Sequence, residues 1–184
     1  MPSAPSAAGT TTHTTPVRPK LGEAAITVVL PADFTAFCQL HHDVYQHYAH
    51  HLVADRDAAA RAVQHALGDL AASWTQALAG HHTSAIAWTA LTRRVHDAAR
   101  TPSSTPAQAL YDLVPAPEAD AAVLHRVIGL SITSTADTLG TEATAVTWLL
   151  NTFGRRLGAD AAGTLRACWT AAGGAVGPPC SSGR

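Results

Sequence analysis

The chain has 184 residues and a formal charge of −1 with its 11 histidines neutral, so one medium or two small domains can form without a metal or disulfide to complete a core. Near-neutrality excludes a broadly basic, non-specific nucleic-acid binder and confines any DNA contact to a local patch. Aromatic residues make up 5% of the chain and β-branched runs are nearly confined to Ile26-Thr27-Val28-Val29, too little for an extensive sheet, so an all-α fold is expected.

Residues 1–30 begin with a stretch dominated by Thr, Ser, Ala and Pro that has no apolar periodicity, and they are read as a disordered tail. The same composition marks 173–184 as a second tail. Phe34, Phe37, Cys38, Val44, Tyr45, Tyr48 and Leu52 recur at helical spacing and predict a helix near 32–53. Asp55 then caps a helix over 56–79, with Val63, Ala66, Leu67, Leu70 and Trp74 on one face and Gly80 as its stop. Thr83 or Ser84 caps a third helix to about Arg100, turning Ile86, Ala90, Leu91 and Val95 inward.

The run Thr101-Pro102-Ser103-Ser104-Thr105-Pro106 interrupts the helical pattern and is polar, the composition of a connector, and a linker is placed over 101–116. The expectation is therefore two small helical domains, 31–100 and 117–172, joined by this linker. In the second, a helix near 118–128 stops at Gly129, Ser131 caps a short helix 132–138, and Gly140 closes it. Thr141 caps a longer helix to about Leu157, and 159–172 adds another. The segment from Gly129 to Leu150 reads as a helix-turn-helix: Ile132, Ala136 and Leu139 face inward, Gly140 takes the positive backbone angle of the turn, and Val146 and Leu150 anchor the second helix.

Three cysteines, Cys38, Cys168 and Cys180, show no paired spacing, and no charged start leads into a long apolar stretch. A soluble, cytoplasmic protein away from the membrane is expected. His47 and His51 stand one turn apart in the run His41-His42, His47, His50-His51, the spacing of a metal pair. No third ligand falls at a distinctive spacing, so no metal and no cofactor are expected. Neither a Gly-rich phosphate loop nor a nucleophile motif is present, and nothing positive supports an enzyme.

Two stretches carry a family resemblance. Phe34 to Tyr48 followed by Asp55-Arg56-Asp57-Ala58-Ala59 and Val63-Gln64, then Trp88, Arg93, Arg94 and Asp97, resembles region 2 of extracytoplasmic-function (ECF) type bacterial RNA polymerase sigma factors. Val123-Leu124, Gly129-Leu130-Ser131, Leu139-Gly140, Val146, Leu150 and Arg155-Arg156-Leu157 are similar to region 4. The resemblance implies partners in core RNA polymerase and promoter DNA, with an anti-sigma protein as a further candidate. It implies that the first domain reads the −10 element and the second the −35 element.

On that reading Trp88, Arg93, Arg94 and Arg100 stack and neutralise a melted strand. Thr144, Thr147, Trp148 and Asn151 read base edges, and Arg155 and Arg156 hold phosphates. Asp57, Arg61, Gln64 and His65 face polymerase. Trp88 is equally readable as a packing residue, and Trp148, between Val146 and Leu150, is expected to face partly outward. Ala58, Ala60, Arg61 and His65 occupy positions that are commonly acidic in the family, and Thr147, Leu149 and Thr152 stand where Lys or Arg is usual. Those departures keep two further classes in play: a sigma-like adaptor that binds proteins without reading promoters, and a His-rich helical metal-binding module. Limited proteolysis should cut first within 101–106 and yield two helical fragments; first cleavage inside 56–79 or 141–157 would contradict the division.

Overall fold

The computed structural model describes residues 30–80, 82–100 and 105–157, and regular structure among these residues is helical throughout. The tails, the 159–172 helix and most of the 101–106 connector lie outside them. Helix α1 spans Ala32–Leu52 and turns Phe34, His41, Tyr45, Tyr48, Ala49 and Leu52 inward. Helix α2, Arg56–Ala72, starts where the Asp55 carboxylate accepts the Asp57 backbone N–H at 2.9 Å, satisfying one of the donors a helix start leaves open.

The single helix expected over 56–79 divides at Ser73 into α2 and a short α3, Trp74–Ala79. The Ser73 hydroxyl donates back to the Asp69 carbonyl at 3.1 Å, and the backbone there leaves helical angles, with φ −115° and ψ 15°. A serine that bonds its own helix in this way competes with the regular ladder. Helix α4, Thr83–Ala99, begins without a side-chain cap; the expected cap residue Thr83 instead donates its hydroxyl to the Ala77 carbonyl at 3.1 Å, tying α4 to α3.

Part of the expected linker is ordered helix. Helix α5 spans Gln108–Leu113 and buries Leu110. The Thr105 hydroxyl reaches the Leu52 carbonyl at the end of α1, and the Gln108 side-chain amide donates to the Ala99 carbonyl at the end of α4. Helix α6, Ala116–Ala122, widens into a π-type turn over Val123–Val127. Gly129 and Gly140 hold positive φ, 88° and 66°.

Helix α7, Ile132–Leu139, is capped as expected by Ser131, whose hydroxyl accepts the Ser134 N–H at 3.0 Å. Helix α8 spans Ala143–Leu157. Its cap falls at Glu142 rather than Thr141: the Val146 N–H bonds the Glu142 carbonyl, whereas the Thr141 N–H bonds back to Ala136 and closes α7.

Helices α1, α2 and α4 pack together, as do α6, α7 and α8, and α4 also packs on α7. The buried apolar residues form one cluster from Phe34 to Phe153, so the stretches before and after the connector share a core. Gly140 lies at that seam. A Cβ added to it would come 2.8 Å from Ala85 Cα on α4, closer than non-bonded carbons approach, and its left-handed φ disfavours any other residue. Gly140→Ala should therefore lower unfolding stability by about 2 kcal/mol or more, measured by urea denaturation; an unchanged midpoint would contradict the close approach.

Candidate nucleic-acid interface

Helix α8 has two faces. Val146, Leu150, Thr152 and Phe153 are buried against the helices behind it, while Thr144, Thr147, Trp148, Asn151 and Arg155 lie exposed on the other side. Trp148 is 60% exposed. The helix is held by α7 and α6 rather than by its own polar face, and this leaves that face open over three turns.

The two arginines at its end differ. Arg155 is exposed and reaches the Thr152 hydroxyl at 3.1 Å. Arg156 turns back instead, with Nε 3.2 Å from Glu118 Oε1. Glu118 is buried on α6, and its second carboxylate oxygen has no hydrogen-bond partner. Arg156, itself still exposed, is thus the counter-ion of Glu118, and Arg155 stands beside the exposed stripe.

The candidates on α4 do not form an open stacking site. Trp88 is 6% exposed; its ring packs edge-on to Tyr48, and its N–H donates to Asp120 Oδ2 at 3.0 Å. Arg94 makes a two-pronged contact with Asp69, Nε to Oδ2 at 2.8 Å and Nη2 to Oδ1 at 2.9 Å, and Arg93 adds a third bond at 3.0 Å. The hydrogen bond from Arg94, with Arg93 beside it, holds the Asp69 carboxyl below the usual carboxylate range. Arg100 is exposed, 3.7 Å from Asp97. Two of the three proposed cations of α4 are therefore already matched by one carboxylate.

Asp57, Arg61, Gln64 and His65 form a single exposed stripe along α2. Arg61 lies 3.9 Å from Asp55. This stripe borders a shallow cleft lined by Ala58, Arg61, Ala62, His65, Arg94, Asp97 and Ala98, so the residues assigned to polymerase and those of α4 share one surface. Among the described residues no three His, Cys, Asp or Glu side chains are gathered to hold a metal. His47 is exposed and His51 half-buried on α1.

The residues that sequence reasoning missed are those of the junction. Asp120 is buried on α6, and its Oδ1 accepts hydrogen bonds from Tyr48 at 2.8 Å and Tyr111 at 2.5 Å. Tyr48 comes from α1, Trp88 from α4 and Tyr111 from α5, so one carboxyl joins four helices. Burial pushes that carboxyl above its usual range, against the lowering effect of the Tyr111, Trp88 and Tyr48 hydrogen bonds. The available signal was a lone acid in the apolar run Ala119 to Leu124.

No protein family, curated protein or solved structure matches the chain. Among the described residues no helix is long and apolar enough to cross a membrane. Because Glu118 is buried and paired with Arg156, Arg156→Ala should cost about 1–2 kcal/mol of stability, read from urea unfolding. A loss of DNA binding with no change in stability would restore Arg156 to the interface.

Proposed function

We propose that this protein is a sigma-type transcription-initiation factor that docks on core RNA polymerase through the outer stripe of α2 and reads duplex promoter DNA with α8. The observation that carries the reading is the exposed stripe Thr144, Thr147, Trp148, Asn151 and Arg155 on a helix anchored by Val146, Leu150 and Phe153. It follows a short helix and a left-handed glycine, Gly140, the arrangement in which a second helix enters the major groove. Hydroxyl and amide groups on that stripe suit hydrogen bonding to base edges, and Trp148 suits apolar contact with a thymine methyl.

The resemblance to sigma regions 2 and 4 supplies the order of events: α1 and α2 hold polymerase, α4 engages the −10 element, and α8 engages the −35 element. A cytoplasmic location, two functional units and an anti-sigma partner belong to the same reading. Few free cations surround α8, so polymerase must bring much of the affinity for DNA, since phosphate neutralisation dominates binding by isolated domains.

A second reading, an adaptor that binds polymerase or an anti-sigma protein without reading promoters, is favoured by two observations on α4. Trp88 is buried, and Arg93 and Arg94 are paired with Asp69. The two readings separate on holoenzyme reconstituted from the full chain and core polymerase. Asn151→Ala should weaken promoter binding by about 1–3 kcal/mol and relax preference at particular base pairs. Arg155→Ala should weaken binding to all sequences and reduce the salt slope by about one. Polymerase binding with no effect of either change would decide for the adaptor.

A further inference from the structure

The junction around Asp120 has a proton count that bears on how the molecule opens. Three oxygens, Tyr48 Oη, Tyr111 Oη and Asp120 Oδ1, are in mutual contact: 2.8 Å between the phenols, 2.8 Å from Tyr48 to Oδ1 and 2.5 Å from Tyr111 to Oδ1. Each contact requires one hydrogen. Two phenols supply two, so with Asp120 ionised both point at the carboxylate and the phenol oxygens meet lone pair to lone pair.

A proton on Oδ1 completes the ring. Tyr48 then donates to Tyr111, Tyr111 donates to Oδ1, and Oδ1–H donates to Tyr48. Oδ2 remains a carbonyl acceptor for the Trp88 N–H at 3.0 Å. Every polar atom of the cluster is then satisfied without placing a charge in a site this buried.

We propose that Asp120 is a proton-held clasp: with its proton in place it fastens α6 to α1, α4 and α5 and keeps the two halves of the chain closed, and its ionisation releases them. Along the same seam Gly140 abuts Ala85, α4 packs on α7, and Thr105 and Gln108 bond the ends of α1 and α4. A cleft of about 230 Å³ lined by Trp88, Pro117, Asp120, Leu139, Thr141 and Leu149 runs along this seam. The clasp also gates the proposed function, and this consequence rests on the sigma reading: closed, it hides Trp88, and α4 must be uncovered before it meets a strand.

The direction of the pH dependence follows from the groups that face the clasp. Opening exposes Asp120 to water and returns it to about 3.9, whereas burial raises it in the closed form. A group raised in the closed form contributes fully below its open value, and the contribution is lost as pH rises through the closed value. Tyr48 and Tyr111 are pushed above the ordinary phenol range by burial and stay neutral.

His96 on α4, whose ring lies 4.6 Å from that of Tyr111, is lowered by burial with Asp120 and Asp97 opposing. His41 on α1 is lowered by burial, with Asp137 of α7 opposing. Both histidines favour the closed form when neutral, so their titration closes the molecule as pH rises. Glu118 on α6 is occupied by Arg156. A closed population that falls with rising pH therefore belongs to Asp120, and one that grows belongs to the histidines.

The test uses the full chain with Cys38, Cys168 and Cys180 changed to Ser and spin labels on Gln76→Cys and Thr133→Cys, exposed positions on α3 and α7. Distances between labels are read by pulsed electron resonance from about pH 5 to about pH 9. The clasp predicts one short, narrow distance that gives way to longer, broader ones as pH rises. Asp120→Asn, the neutral isostere of the protonated acid, should stay closed and lose that dependence, its carbonyl accepting from Trp88 and its amide N–H groups donating to Tyr48 and Tyr111.

Tyr111→Phe keeps the ring bulk and should shift opening to lower pH with helix content unchanged by circular dichroism. A pH-independent distance, a closed population that grows with pH, or Asp120→Asn opening with rising pH as the native chain does would each overturn the clasp. Polymerase-dependent binding to a melted promoter strand tests the gate separately. Binding should rise several-fold in Tyr111→Phe at a pH where that variant is open and the native chain closed; an opened variant with no gain overturns the gate, and no polymerase binding by either protein overturns the sigma reading while the distances still decide the clasp.

Discussion

One buried carboxyl sets the arrangement of this molecule. Asp120 lies on α6 among alanines and aliphatic residues, yet it is hydrogen-bonded to Tyr48, Trp88 and Tyr111 on three other helices. An acid in such a place is tolerable only if its oxygens are matched. Matching them forces α1, α4 and α5 to converge on one point of α6. The helices that converge there also share one apolar core, Trp88 is sequestered within it, and Gly140 lies close against Ala85.

The polar surfaces are shaped by the same economy. Asp69 gathers Arg93 and Arg94, Glu118 takes Arg156, and the exposed cation beside the α8 stripe is Arg155. A chain with 12 basic and 13 acidic residues has few charges to leave unmatched. On the proposed reading, nucleic-acid recognition would draw on hydroxyl, amide and aromatic groups more than on phosphate neutralisation, and a partner would supply affinity.

The helices were legible in the sequence because their causes are local. Apolar spacing marked α1 and α4, Asp55 and Ser131 marked two starts, and Gly140 marked the left-handed turn. The outward face of α8, with Trp148 on it, followed from the inward positions of Val146 and Leu150. What escaped was set by contacts between residues far apart in the chain. Nothing near Ser73 announces the break between α2 and α3, α5 is a single turn too short to show periodicity, and Arg156 looked identical to Arg155 until Glu118 was placed beside it. The pairing of Trp88 with Asp120 spans 32 residues and that of Tyr48 with Asp120 spans 72, beyond any local pattern.

The protonation of Asp120 can be observed directly through the carbon-13 resonance of its carboxyl, assigned by comparison with Asp120→Asn and followed as pH is raised. This carboxyl should stay protonated above the ordinary aspartate value of about 3.9, and its titration should coincide with loss of the contacts to Tyr48 and Tyr111. A carboxyl that ionises at or below the ordinary value while the helices remain packed would contradict the clasp.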